Sequence, residues 1–301
     1  SGGGMIKFFM RAINWCADAG ESKGPNGEQG AYPAGHYHSP VPSREDVLCG
    51  LSSKRAAPPM PDIDFRREEQ GRLLEELARY YSELPFSAEK SDACRYYYDQ
   101  DWFSYTDAIL LYAMIRQFNI RRVIEIGSGF SSAVMVDTLE RFGSRDFTIT
   151  FIEPHAERLR GLVNVDADPR IQLIEMPLEQ VDCVVFDGLE AGDLLFIDSS
   201  HVLKYRSDLQ IALFEVLPRL NRGVVVHFHD VFRNFEYPDD WLKEGRYWNE
   251  CYMLRAFLSG NRGWEMVLFA DYVNCEFASF IEAKMPLCRK NCGGSLYLRK
   301  H

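Results

Sequence analysis

"RRVIEIGSGFSSAVMVD" (residues 121–137) reads as a buried strand, a glycine turn and the first turns of a helix. Gly127 and Gly129 allow a backbone to approach a ligand closely, as in dinucleotide-binding folds. The third glycine of that pattern is missing, because Ser132 stands there. A pyrophosphate is best held by a helix N-terminus pressed close to it, which is where a third glycine helps. The turn therefore favours a nucleoside ligand without phosphates.

The rest of the chain repeats the rhythm that starts at residue 121. "FTITFIEP", "IQLIEMP", "DLLFIDSS" and "GVVVHFHD" follow as short buried strands with helices or loops between them. Such βαβ units build a parallel sheet. "WEMVLFAD" and "GSLYLRK" add two more strands, the final one suited to run antiparallel. Upstream, "FRREEQGRLLEELARYYSEL" (65–84) and "YTDAILLYAMIRQF" (105–118) carry helical periodicity, the second with Thr106 or Asp107 as its cap. The expected organisation is an irregular segment over 1–62, a helical cap over 63–118 and a Rossmann-like domain over 119–301.

Composition narrows the function. Apolar residues make up 46% of the 301, enough for a sizeable core. A net charge of -10 argues against nucleic acid, which needs a basic face. No run approaches the roughly 18 apolar residues of a membrane span. The stretch "MIKFFMRAINW" (5–15) is broken by Lys7 and Arg11 and does not form a signal-peptide core. The leading "SGGG" reads as an added tail before Met5. A cytoplasmic protein with a small-molecule partner is expected, and a homo-oligomer stays open. The eight cysteines are scattered and read as reduced thiols. Cys288 and Cys292, with Cys275 upstream, form only a C-x3-C spacing, short of a zinc site.

In a doubly wound sheet, ligands bind outside the carboxyl ends of the strands. Those ends carry Glu125 with Gly127, then Glu153, Met176, Asp198 with His201, and His229 with Asp230. Glu153 is placed to accept hydrogen bonds from both hydroxyls of a ribose. Glu125 and the Gly127–Ser128–Gly129 backbone suit the amino-acid end of S-adenosylmethionine, with Ser131 and Ser132 beside them. Asp198 completes this expected cofactor set.

These motifs resemble the class I S-adenosylmethionine-dependent methyltransferases. The resemblance rests on "IEIGSGFSS", "FIEP" and "FIDSSH", then "GVVVHFHDVF", "FEYPDDWLKEGRYWNECYMLRAFL" and "GGSLYLRK". It reaches upstream to "HYHSPVPS" and covers most of residues 36–300. It implies an α/β Rossmann-like sheet of seven strands with the last antiparallel, and methyl transfer to a hydroxyl or amine of a sugar or natural product.

Asp198, His229 and Asp230 should meet where the methyl group emerges. Two chemistries are open there. His201 or His229 could act as general base. Alternatively Asp198, His229 and Asp230 hold a magnesium, manganese or iron ion that acidifies the acceptor. Some relatives carry acidic metal ligands at comparable strand ends, and His229 departs from that pattern. The same set would suit an iron oxygenase on this fold, the alternative function. His227 reads as a satisfied core histidine. "GRYWNECYMLRAFL" (245–258) reads as an amphipathic helix offering Arg246 and Asn249 to the substrate, and His36, Tyr37 and His38 are expected to fold over it.

Overall fold

The computed structural model describes residues 30–53 and 59–301. The stretch 5–15 and the start of the glycine-rich loop lie outside the described residues. Seven strands form one sheet: β1 Arg122–Ile126, β2 Thr148–Ile152, β3 Ile171–Ile174, β4 Leu194–Ile197, β5 Val225–Phe228, β6 Trp264–Phe269 and β7 Leu296–Lys300. Their order is β3-β2-β1-β4-β5-β7-β6. Strands β1 to β5 pair in parallel, and β7 runs antiparallel to both β5 and β6. Every strand read from the sequence is present. Parallel strands covered on both faces become continuous apolar runs, and β4 and β5 are buried at every position.

The main helices are α1 Arg44–Ser52, α2 Arg67–Leu77, α3 Tyr105–Gln117, α4 Phe130–Phe142, α5 Glu157–Leu162, α6 Asp208–Ile211, α7 Asp239–Glu244 and α8 Glu250–Leu258. The chain divides into two compact units. The larger comprises 58–237 and 248–301. In it, residues 63–118, read as a cap, share one hydrophobic core with the sheet: Leu74 and Leu77 of α2 and Ile109 to Ile115 of α3 join Val134, Phe151, Phe196 and Tyr297. The smaller unit comprises 1–57 with 238–247, and within it α1 packs on α7. Ser43 and Asp46 close a reciprocal capping box on α1, which fixes where that helix begins.

Two helix boundaries differ from expectation, each for a visible reason. Neither Thr106 nor Asp107 caps α3; Ser104 occupies that position. Both side chains are buried and serve the C-terminal segment instead. Thr106 donates to the Cys288 and Asn291 carbonyls, and Asp107 accepts from Gly294 N and the Ser295 hydroxyl. The helix expected from 245 starts only at Glu250. Gly245, left-handed at φ 91°, terminates α7 and breaks the chain there. Among the described residues no helix is long and apolar enough to cross a membrane. The seven described cysteines are free, and they contribute to no metal-ligand cluster.

Candidate active site

The parallel ladders run one residue past β1, β4 and β5, which brings their ends together. Gly127 N donates to Ile152 O, Asp198 N to Ile126 O, and His229 N to Ile197 O. Between these ends lies a cleft of about 310 Å³, lined by Gly127, Glu153, Pro154, Leu178, Asp198 and Ser199 among others. Gly127 has φ 78°, and a Cβ there would lie 1.7 Å from the Asp198 carbonyl oxygen. Only glycine lets β1 turn this close to β4.

The Glu153 carboxylate is fixed by two backbone donors, Ser128 N at 2.9 Å and His155 N at 2.7 Å. One bond per oxygen leaves lone pairs for a diol, as a ribose presents. The hydroxyls of Ser128 and Ser199 are buried without a partner. Ser199 lines the cleft and Ser128 follows the glycine turn. Orphaned donors there, a glycine cradle and a fixed carboxylate fit an adenosine ligand carrying an amino-acid end. Glu153→Ala is expected to weaken S-adenosylhomocysteine binding by about 1.5–3 kcal/mol, through loss of charge-assisted bonds. Titration calorimetry showing unchanged affinity would remove Glu153 from the site.

Asp198 joins this cleft to a second feature. Its carboxylate lies 3.4 Å from His201 Nε2, and Asp230 approaches the same nitrogen at 3.6 Å. On the other side of the ring, His201 Nδ1 meets Glu250 at 2.7 Å. The backbone holds this group under strain: His201 and Asp230 are left-handed, at φ 59° and 56°. Asn249 N and Glu250 N both donate to His201 O, and the Trp248 ring packs against the imidazole at 4.4 Å between centroids. Ligand atoms of Asp198, His201 and Asp230 all lie within 4.8 Å of one another.

Burial opposes charging of His201, but hydrogen bonds to Asp198 and Glu250 outweigh it and raise its pKa well above the ordinary range. Burial pushes the Asp230 and Glu250 carboxyls up. Asp198 is partly buried, yet the neighbouring His229 and His201 hold it below the usual carboxylate range.

Residues 124–231 match the family model described as a methyltransferase domain. An uncharacterized protein of Archaeoglobus fulgidus is 31% identical over 166 residues, 53% of this chain and 74% of that relative. Residues 124–231 thus form a methyltransferase domain. Solved structures similar to it include an SAH-bound methyltransferase of Podospora anserina, at 17% identity and TM-score 0.44, covering 87% of this chain and 98% of that one. Another is the O-methyltransferase TomG of Streptomyces achromogenes, involved in tomaymycin synthesis and solved with SAM, at 16% identity and TM-score 0.42, covering 85% and 96%.

Gly127, Glu153 and Asp198 line the cleft. Glu125, Ser131 and Ser132 sit beneath it. Glu125 is fully buried, and both its oxygens accept hydroxyl protons, from Ser131 at 2.5 Å and from Ser132. Ser132 in turn accepts from Gly129 N at 2.9 Å. Burial pushes the Glu125 carboxyl up to about 8, with the Asp198 charge adding and the serine bonds opposing. Glu125 thus braces the glycine turn from beneath, its two oxygens taken up by Ser131 and Ser132.

The cluster differs by one residue from the metal set expected from sequence. His229 lies 3.5 Å from Asp230 but outside the three-residue cluster, and His201 takes its place. The His229 Nδ1 is buried without a partner, and its ring packs on Phe103. His227 is a core residue but not a satisfied one. It stacks on Phe196 at 3.8 Å, both ring nitrogens lack partners, and burial holds its pKa well below the ordinary range.

Asn249, expected at the substrate, has both polar groups of its side chain bonded within the chain. Its Oδ1 accepts from Leu203 N at 2.6 Å and its Nδ2 donates to Leu203 O, clamping the loop after His201. Arg246 belongs to the smaller unit, where it pairs with Glu244 and stacks over Trp241. His36, Tyr37 and His38 form a cluster of stacked rings with Tyr32 in that same unit. Glu250 was missed as the partner of His201. Its only signal was an acid near the start of a helix, 49 residues from that histidine.

Proposed function

We propose that this methyltransferase methylates a hydroxyl of a small metabolite of the sugar or natural-product type, with Asp198, His201 and Asp230 holding a divalent metal. The observation that carries the reading is three carboxylates converging on one buried imidazole at the mouth of the cofactor cleft. Carboxylates buried together need positive charge beside them. If a proton on His201 supplies it, the imidazole has no lone pair left to serve as base. If a cation supplies it, His201 donates Nδ1–H to Glu250 and offers Nε2 to the metal, a carboxylate–histidine–metal arrangement.

A bound divalent ion would lower the pKa of an acceptor hydroxyl and neutralise the alkoxide. The chain's own residues do the rest. Glu153 and the Gly127 turn would hold the cofactor, and Asp198 links that cleft to His201, where an acceptor would be positioned. Glu250 sets the His201 tautomer, and Trp248 excludes water from one face of the ring. Two carboxylates suit a hard ion, and the histidine tilts the choice toward manganese or iron over magnesium. The oxygenase alternative loses its support, since the family match is to a methyltransferase domain.

Protein purified without chelator is expected to carry close to one equivalent of metal by elemental analysis. Chelation should lower methyl transfer to a panel of hydroxylated acceptors by at least about a hundredfold, with manganese restoring it. Full activity in metal-free protein would leave His201 as the base and end the metal reading.

A further inference from the structure

The cofactor's amino-acid end carries a carboxylate as well as an ammonium, and a carboxylate near the acidic cluster needs a cation. Arg158 of α5 stands in the place to supply it. Its side chain lies along the glycine turn: a Cβ on Gly129 would sit 3.2 Å from Arg158 Cδ. Its guanidinium stacks over the Trp102 ring at 3.7 Å from the centroid. Its positive charge reaches Asp198, which lines the cleft.

Two features set this pair apart from ordinary surface residues. Arg160, on the same helix, is paired with Asp166 and Glu175. Arg158 has no carboxylate partner among the described residues. Trp102 is 61% exposed, a costly place for an indole. It is nevertheless held firmly. Gln100 Oε1 accepts from Trp102 N and Phe103 N, and Phe103 is buried against Phe196 and His229. The Gln100 bonds fix the backbone that carries the indole, and the Arg158 guanidinium lies over that ring.

We propose that Arg158, held by Trp102, binds the carboxylate of the cofactor's amino-acid end. The assignment rests on the adenosylmethionine reading of the cleft. Arg158 is then a binding residue for the amino-acid end alone, while Glu153 holds the nucleoside end.

The test is titration calorimetry with two probes, S-adenosylhomocysteine and 5′-methylthioadenosine, which keeps the nucleoside but lacks the amino acid. Arg158→Gln is expected to weaken adenosylhomocysteine binding by about ten- to a hundredfold, the range of a lost charge-assisted bond. Its affinity for methylthioadenosine should stay within about twofold of the wild type. Trp102→Leu should show the same selectivity with a smaller loss. An equal loss for both probes would assign Arg158 to the nucleoside and overturn the proposal, as would an unchanged affinity for adenosylhomocysteine. Wild-type protein that binds neither probe would overturn the cofactor reading itself, a result separate from either. Arg158 is exposed, so its replacement should leave the melting temperature unchanged.

Discussion

His201→Asn is expected to lower kcat by about 10²–10⁴-fold while leaving the KM for adenosylmethionine nearly unchanged. Asparagine is the informative replacement because His201 is left-handed at φ 59°, a conformation that asparagine adopts more readily than most residues. The backbone can then persist, so a loss reports on the imidazole. The cofactor cleft is lined by Gly127, Glu153 and Asp198 but not by His201, which separates kcat from KM. Glu250→Gln provides the graded companion. It removes the charge behind Nδ1 but keeps an acceptor, and a loss of about 10–100-fold is expected, typical for a partner of a metal-ligating histidine. Manganese titration followed by electron paramagnetic resonance distinguishes the two proposed roles. A metal ligand loses affinity in both variants, whereas a general base loses turnover alone. Turnover within threefold of the wild type for His201→Asn would remove this residue from the chemistry.

The fold was legible because its signal is local. Each strand from β1 to β5 is a short apolar run bounded by turn residues, and a parallel sheet buries both faces of such runs. The glycine turn was legible for the same reason, since Gly127 and Gly129 are adjacent to the strand that needs them. The polar cluster was only half legible. Alternation along "GVVVHFHD" correctly placed His227 and His229 on one face of β5, where they contact each other at 5.8 Å. That face is buried against Phe196 and Phe103, and His229 stays outside the three-residue cluster. Asp230 escapes it because its φ of 56° turns the chain out of strand geometry, and nothing in the sequence announces that kink. His201 reaches the same point through its own left-handed backbone. Glu250 and Asn249 were illegible in their roles because their partners lie 46–49 residues away, fixed by packing rather than spacing.

Glu125 leads to a prediction about stability rather than catalysis. Its carboxyl would titrate near 4.5 when unperturbed and is pushed up to about 8 in the folded protein, chiefly by burial. Below pH 4.5 both states hold the proton, and the group's favourable contribution is complete. Between about 4.5 and 8 the unfolded chain releases the proton while the folded chain keeps it. Stability then falls as pH rises, by up to about 1.4 kcal/mol for each pH unit. Above the folded value both states are ionised and the slope from this group vanishes. Glu125→Gln cannot ionise, and its amide can still accept from one serine and donate to the other. The variant is expected to gain stability relative to the wild type as pH increases from 5 to 8, by a few kcal/mol in total. The difference isolates Glu125 from the other titrating groups, because those are common to both proteins. Urea unfolding at pH 5, 6.5 and 8 measures it directly. A constant difference between variant and wild type across that range would mean that Glu125 is ionised in the fold. The glycine turn would then rest on a buried carboxylate stabilised by Ser131 and Ser132, and Ser131→Ala with Ser132→Ala would become the more damaging pair.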